Sequence, residues 1–319
     1  MHIQIVGLHA PNAPRLRELL GPGHEVEALQ AFPASGAIQA DVVIANSISA
    51  DEAARLHCRL VHVPGAGSEQ VALATLPSGT TVCNVHGHEV PIAEFALHAI
   101  LEHFLQLWQY PARLDADAWA RSYAHRAQHD EADGKTVAIL GFGHIGQEIT
   151  RRARACGMHV IAVTRSGRQG SAELAHEYVA VSALDEVLPR IQVLVVCCPL
   201  DDSTRGLIDA RQLALLPARA LLINVARAEV VDEQALYEAL RDHRLGRAVL
   251  DVWYQYPKKG QPPVDPSRWP LHELPNVRAT PHISAITPAV LDRRYRFMAG
   301  NIERLQQGQP LLNVIHPAA

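Results

Sequence analysis

Short apolar runs alternate with segments of helical periodicity along almost the whole chain. Over the first 85 residues the runs Ile3 to Val6, Asp41 to Ala45, Leu60 to Val63 and Thr80 to Cys83 predict strands. Helical stretches separate them, the second opening with the capping-box pattern Ser49-Ala50-Asp51-Glu52. That rhythm predicts a small α/β layer domain. A longer helix is predicted from Pro91 to about Arg113, with apolar residues at Ile92, Phe95, Ala96, Ala99, Ile100 and Leu107 and Pro91 in its first turn. It is long enough to link two domains. After Asp133-Gly134 a second series begins, with strands at Thr136 to Leu140, His159 to Val163, Gln192 to Cys197, Ala220 to Val225 and Ala248 to Val252. Strands this apolar, alternating with helices, form a parallel sheet covered on both faces. The stretch from Tyr254 to Pro275, with six prolines, reads as a structured loop, and Thr287 to Gln307 as a terminal helix.

Composition narrows the partners. The 319 residues are 48% apolar and 19% charged, enough for about two domains with sizeable cores. With 29 basic against 33 acidic residues, the net charge of −4 argues against nucleic acid or an anionic membrane and toward a small-molecule partner. No run reaches the roughly 18 apolar residues of a membrane span, and Met1-His2-Ile3-Gln4 lacks the basic start of a secretion signal, so a cytoplasmic protein is expected. The five cysteines include no Cys-x-x-Cys pair, and the 18 histidines make short His patterns expected by chance, so no metal site is predicted.

The chemistry lies at strand ends. Gly141-Phe142-Gly143-His144-Ile145-Gly146 follows the strand Thr136 to Leu140 and precedes a helix-like segment. In that setting the glycines allow a tight turn and close approach of a dinucleotide pyrophosphate to amides at a helix N-terminus. The next strand ends in Thr164-Arg165-Ser166-Gly167-Arg168, with no carboxylate before Glu173. A guanidinium and hydroxyls there suit a 2′-phosphate, which predicts NADP in preference to NAD. Arg227, Asp251 and His282 each follow a later strand, so all three should face the crevice at the carboxyl edge of the sheet.

These features resemble the D-isomer specific 2-hydroxyacid dehydrogenases, the family of phosphoglycerate dehydrogenase, glyoxylate/hydroxypyruvate reductase, formate dehydrogenase and phosphite dehydrogenase. The resemblance rests on Val63-Pro64-Gly65-Ala66-Gly67, Pro91-Ile92-Ala93-Glu94, the glycine turn, Cys198-Pro199-Leu200 with Thr204, Asn224 to Arg227, and Thr280-Pro281-His282. It implies an α/β chain in which a Rossmann doubly wound parallel sheet domain, residues 101–283, is inserted into a flavodoxin-like α/β substrate domain made of residues 1–100 and 284–319, with a cleft at the hinge. The Ala66 and Gly67 amides would receive a substrate carboxylate, with His88 and Glu89 on the same substrate side. Arg227 would clamp that carboxylate and His282 would exchange the proton as hydride moves to or from the nicotinamide. Asp251 would hold the nicotinamide amide. Gly141, Gly143, His144, Ile145, Gly146, Thr164, Arg165, Ser166, Arg168, Cys198, Pro199, Thr204, Val225, Ala226 and Ser284 would surround the cofactor. The expected activity is NADPH-linked interconversion of a 2-oxo acid and a D-2-hydroxy acid, by a homodimer.

One position departs from the family. Common members carry Asp-Val-Phe-x-x-Glu-Pro, whose Glu pairs with the histidine; this chain has Asp251-Val252-Trp253-Tyr254-Gln255-Tyr256-Pro257, which puts Tyr256 at the Glu position. Without a carboxylate, His282 should hold its proton less firmly. Either another carboxylate, such as Glu89, takes over, or the reaction needs no proton donor, as in oxidation of a small anion such as formate or phosphite. A dinucleotide-binding sensor or corepressor-like module is the reading from a different class. Trp253, Tyr254, Tyr256 and Trp269 would either shape a pocket for a larger substrate or pack as core.

Overall fold

The computed structural model describes residues 1–167, 174–257 and 260–318. The chain divides into two compact units, Met1–Gly87 with Ile286–Ala319, and His88–Ala285. The first opens with β1 (His2–Val6), α1 (Ala13–Leu20), β2 (Glu25–Leu29), β3 (Ile38–Gln39), β4 (Val42–Ile44), α2 (Ala50–Arg55), β5 (Leu56–His57), β6 (Leu60–His62) and β7 (Thr81–Cys83). The capping box forms as its sequence predicts: the Ser49 hydroxyl accepts from the Glu52 amide, and the Glu52 carboxylate accepts from the Ser49 amide at 2.7 Å.

The second unit begins with α3 (Glu89–Leu105) and α4 (Ala116–Ala124), then runs β8 (Thr136–Leu140), α5 (His144–Ala155), β9 (His159–Thr164), β10 (Glu177–Ala180), α6 (Leu184–Val187), β11 (Val193–Val196), α7 (Ala210–Leu215), β12 (Leu221–Asn224), α8 (Glu233–Arg241), β13 (Arg247–Leu250) and β14 (Val277–Ala279). The helix expected to reach Arg113 stops at Leu105, because Gln106 turns left-handed at φ 50° and closes the last turn onto the Glu102 carbonyl. A unit boundary at residue 100 would fall inside α3; the second unit takes the whole helix, whose Ile92, Ala96, Ile100 and Phe104 pack with Ile149 and Ala153 of α5. The seven strands are all parallel, in the order β10-β9-β8-β11-β12-β13-β14. Their side chains alternate between two cores: Val137, Ile139, Val193 and Val195 face α3 and α5, while Ala138, Leu140, Leu194 and Val196 face the other layer. Chain order reverses between β8 and β11, which marks the crevice where ligands bind in such sheets.

The chain then returns to the first unit through α9 (Pro288–Gln306) and β15 (Val314–His316). The completed sheet runs β15-β7-β6-β4-β1-β2, parallel except for the antiparallel pairing of β15 with β7. Tyr295, Met298 and Ile302 of α9 are fully buried against Ile3, Ile5 and Ile44. Two polar residues lock this return. Asn301 holds the main chain of Leu312 at 3.0 Å through both ends of its amide, and its Nδ2 donates to His62 Nε2 at 3.2 Å. His62 therefore carries its proton on Nδ1, which faces the Val63 carbonyl.

Burial lowers the His62 pKa from 6.5 to about 4, against a smaller opposing effect of the Val63 carbonyl. Because the folded pKa lies below the unfolded one, stability is complete above pH 6.5 and falls as pH drops toward 4, by up to about 3 kcal/mol for this residue. Urea unfolding at pH 7.5, 6 and 5 is expected to show that decline. The His62→Gln variant, whatever its stability at pH 7.5, should show a visibly shallower pH slope.

Candidate active site

The glycine turn meets three separate steric demands. Gly141 has φ +101°, and a Cβ there would come within 2.6 Å of the Cys198 amide, so the turn after β8 can lie against the start of the β11 loop only without a side chain. Gly146 sits where a Cβ would collide with the Gly141 carbonyl, which brings α5 close to β8. Gly143 differs: it caps α5 at φ −76°, and a Cβ there would meet nothing of the protein. The protein's own packing does not require glycine at that position, whereas an anion lying over the helix N-terminus would. His144 and Ile145 follow in the first turn of α5.

A pocket of about 780 Å³ opens beside this turn, between the ends of β8, β9 and β11. Gly141, Thr164, Arg165, Cys198, Pro199 and Thr204 line it, so six of the sequence-predicted cofactor residues meet there. The Thr164 hydroxyl accepts from the Gly167 amide at 3.0 Å, closing the turn that carries Arg165 and Ser166. The Thr204 hydroxyl donates to the Pro199 carbonyl at 2.7 Å. Arg168 lies outside the described residues. Asp201 also lines the pocket and pairs with Arg165 at 3.3 Å, a carboxylate that sequence reasoning, looking only just after β9, did not find.

The second group forms where β12, β13 and β14 end. Asn224 is buried; its Oδ1 accepts from the Ala226 amide and its Nδ2 donates to the Arg227 carbonyl, both at 3.0 Å. This clip buries Val225 and Ala226 and leaves Arg227 exposed, its Nη1 donating to the Ala226 carbonyl at 2.8 Å. Asp251 is 0% exposed. One oxygen accepts from the Thr280 hydroxyl at 2.6 Å and the Ile283 amide at 2.8 Å, the other from the Ser284 amide at 2.9 Å. Asp251 thus holds the segment that carries His282, and the Ser284 amide is committed to it.

His282 stands in the left-handed region, at φ 59°. Its Nδ1 lies 2.9 Å from the Tyr256 hydroxyl, which also accepts from the Trp253 amide at 3.2 Å. The phenol therefore occupies the place of the missing carboxylate. Desolvation lowers the His282 pKa, Asp251 opposes this, and the Arg227 charge reinforces it. Desolvation raises the Tyr256 pKa, so the phenol is neutral and has one proton to share. With Nδ1 accepting that proton, neutral His282 carries its own hydrogen on Nε2.

The other aromatic residues pack inward. Trp253 is buried and its Nε1 donates to the Thr280 carbonyl at 2.8 Å; the Tyr254 hydroxyl donates to the Val231 carbonyl at 2.7 Å; Trp269 stacks on Tyr237. Glu233, a buried carboxylate at the start of α8, accepts from the amides of Arg268 and Trp269 and so anchors the proline-rich loop. Only Tyr256 of the four is exposed, at 45%.

Of the substrate-side residues, His88 and Glu89 lie at the start of α3 in the second unit, while Ala66 and Gly67 belong to the first. Asn84 fixes the Ala66 carbonyl at 2.8 Å. The Glu69 carboxylate fills the space that a Cβ on Gly67 would need, an acidic neighbour that the sequence pattern did not reveal.

Residues 97–284 match the family described as D-isomer specific 2-hydroxyacid dehydrogenase, NAD binding domain. The chain is 30% identical over 254 residues to D-3-phosphoglycerate dehydrogenase of Methanocaldococcus jannaschii, covering 79% of this chain and 46% of that one. It is 33% identical over 210 residues to hydroxypyruvate reductase of Thermotoga maritima, covering 66% and 64%. The matches thus span about half to two thirds of these curated relatives. Among solved structures, the NADPH-dependent glyoxylate/hydroxypyruvate reductase of Sinorhizobium meliloti, in complex with NADP and sulfate, is 25% identical with a TM-score of 0.79, over 99% of this chain and 98% of that one.

The contrast among the glycines is testable. Gly143→Val should change stability by less than about 0.5 kcal/mol and weaken coenzyme binding at least about tenfold. Gly141→Ala, forced onto the Cys198 backbone, should cost more than about 2 kcal/mol of stability. Thermal melts and titration of coenzyme fluorescence measure both.

Proposed function

The chain belongs to the D-isomer specific 2-hydroxyacid dehydrogenase family, and from that premise we propose that it is an NADPH-preferring reductase converting a 2-oxo acid to a D-2-hydroxy acid. The observation that carries this reading is the convergence of Arg227, Asp251, Tyr256 and His282 at the carboxyl ends of β12, β13 and β14. A bound nicotinamide supplies the hydride. Gly141, Gly143 and Gly146 would hold the coenzyme pyrophosphate, and Thr164, Arg165 and Ser166 its adenosine ribose.

The chain's own residues have separate tasks. Arg227, exposed and fixed at its backbone by Asn224, offers a planar pair of donors to a carboxylate. His282 presents Nε2–H to the carbonyl oxygen, which must gain a proton as the carbon gains hydride. Tyr256 receives none of the charge that a glutamate would carry. It orients the imidazole and can pass its hydroxyl proton to Nδ1 as Nε2 gives up its own. Ala66, Gly67, His88 and Glu89 are proposed to contact the substrate. A second copy of the chain is the proposed partner, supported by the exposed apolar strip Leu107, Trp108, Leu114, Trp119 and Tyr123 on and before α4.

Oxidation of NADPH and NADH, followed at 340 nm with glyoxylate, hydroxypyruvate, pyruvate, phenylpyruvate and branched 2-oxo acids, tests the reading. Silence with every acid despite coenzyme binding would favour a sensor, and coenzyme reduction by formate or phosphite an anion oxidase. Arg227→Gln is expected to lower kcat/KM at least about a hundredfold while sparing coenzyme affinity. With the neutral His282–Tyr256 pair as proton donor, kcat/KM in the reductive direction should stay level as pH rises through the lowered His282 pKa. Tyr256→Glu removes the relay proton and stabilises the imidazolium, so kcat/KM should then fall as pH rises through a His282 pKa raised by about one unit or more. An unmoved profile would sink the assigned role of Tyr256.

A further inference from the structure

Arg165 and Asp201 stand 36 residues apart in the chain and meet at the pocket beside the glycine turn, Nη2 to Oδ2 at 3.3 Å. The two ends of the pair are anchored unequally. Asp201 is fixed: its Oδ1 accepts from the Ser203 amide at 2.8 Å and the Ser203 hydroxyl at 2.5 Å, and its own amide donates to the Thr204 hydroxyl at 2.8 Å. These bonds, the Ser203 hydroxyl foremost, hold the Asp201 pKa below the usual carboxylate range, so its charge is permanent near neutral pH. Arg165 is a long side chain, 82% exposed, on a flexible stem. Oδ1 is thus occupied by the turn, and Oδ2 is directed at the Arg165 guanidinium, which the sequence places with Arg168 in the loop suited to a coenzyme 2′-phosphate.

We propose that Asp201 is the selectivity-determining residue of the coenzyme pocket, a fixed carboxylate that holds Arg165 and limits the preference for a 2′-phosphorylated dinucleotide which Arg165 creates. The inference rests on the coenzyme reading given above and deepens it. To pair with a 2′-phosphate, Arg165 must share or leave Asp201, and the phosphate must approach a wall already bearing a negative charge. A ribose 2′-hydroxyl meets neither penalty, because it is neutral and can itself donate to a carboxylate oxygen. The pocket therefore discriminates between the two coenzymes less than its Thr164-Arg165-Ser166 loop alone would. Asp202, a second carboxylate of the same pocket, adds to the general repulsion but is not paired with Arg165 through the Oδ2 contact described.

The test is the dissociation constant of NADPH and of NADH for the full chain, read from coenzyme fluorescence at about 50 and 300 mM salt. Asp201→Asn, whose side-chain oxygen can still accept from Ser203, should tighten NADPH about five- to tenfold and leave NADH within about twofold. That gain should shrink at the higher salt. Asp202→Asn removes an equal charge from the pocket but leaves the Arg165–Asp201 pair in place, and should shift the ratio less. Combining Asp201→Asn with Arg165→Gln should abolish the gain, because the gain requires the released guanidinium. Melting temperatures of the coenzyme-free variants show that the turn survives. An unchanged NADPH/NADH ratio, or an equal loss of both affinities, overturns the proposal while leaving the coenzyme site intact. Failure of the unaltered protein to bind either coenzyme overturns the coenzyme reading itself, and this inference with it.

Discussion

Asp251 is fully sheltered from solvent, and a carboxylate so placed is stable only where donors meet its oxygens. Those donors are the Thr280 hydroxyl and the amides of Ile283 and Ser284, all within one stretch of five residues. Leaving any of them unmade would cost about 1–3 kcal/mol, so the stretch is held to a single path. That path takes His282 through φ 59°, a conformation uncommon for a residue with a Cβ. The Trp253 indole, donating to the Thr280 carbonyl, braces the same segment from the other side. The histidine's direction is thus fixed from behind by a residue that does not reach the open site.

Replacing a carboxylate by a phenol changes the electrical character of the site as well as one hydrogen bond. A glutamate on Nδ1 would offset the Arg227 charge and keep the imidazole protonated to higher pH. Tyr256 is neutral, so no charge at that ring nitrogen offsets Arg227, and of the two charges acting on His282 the Asp251 carboxylate is the stronger. The result is the Arg227 cation with a neutral donor beside it. Such a centre suits an anion that carries a carbonyl: the charge fixes the carboxylate and the neutral imidazole completes the proton inventory of reduction.

Much of this was legible in the sequence because the relevant signals are local. The near-continuous apolar runs Thr136 to Leu140 and Gln192 to Cys197 named the central strands of a sheet covered on both faces, and the glycine spacing placed the tight turn between β8 and α5. Tyr256 was found opposite His282 because a fixed spacing after Asp251 carries the partner position. What escaped was set by contacts between distant residues. The edge strands β2, β10, β14 and β15 are short or half exposed, so they lack the apolar signature of the centre. Asp201 belongs to the loop after a different strand from Arg165, and no pattern along the chain pairs them. The hold of Asp251 on the His282 segment depended on its burial, and the end of α3 on a single left-handed residue, Gln106.

The return of α9 and β15 to the first unit has a consequence for biosynthesis. The apolar face that Tyr295, Met298 and Ile302 cover belongs to strands made before the second unit, and β7 stays an open edge until β15 pairs with it. Between the two lie the roughly 200 residues of the second unit, which occupy a ribosome for roughly 10 to 40 s. For that interval the nascent first unit is an incomplete sheet with a bare edge and a bare face, the form most open to pairing with a neighbour. Its assembly is rate-limited by contacts of long sequence separation, whereas the inserted unit is continuous and can fold as it emerges. The vulnerable species during synthesis is therefore the half-made first unit, and a chaperone that shields hydrophobic nascent chain would act there.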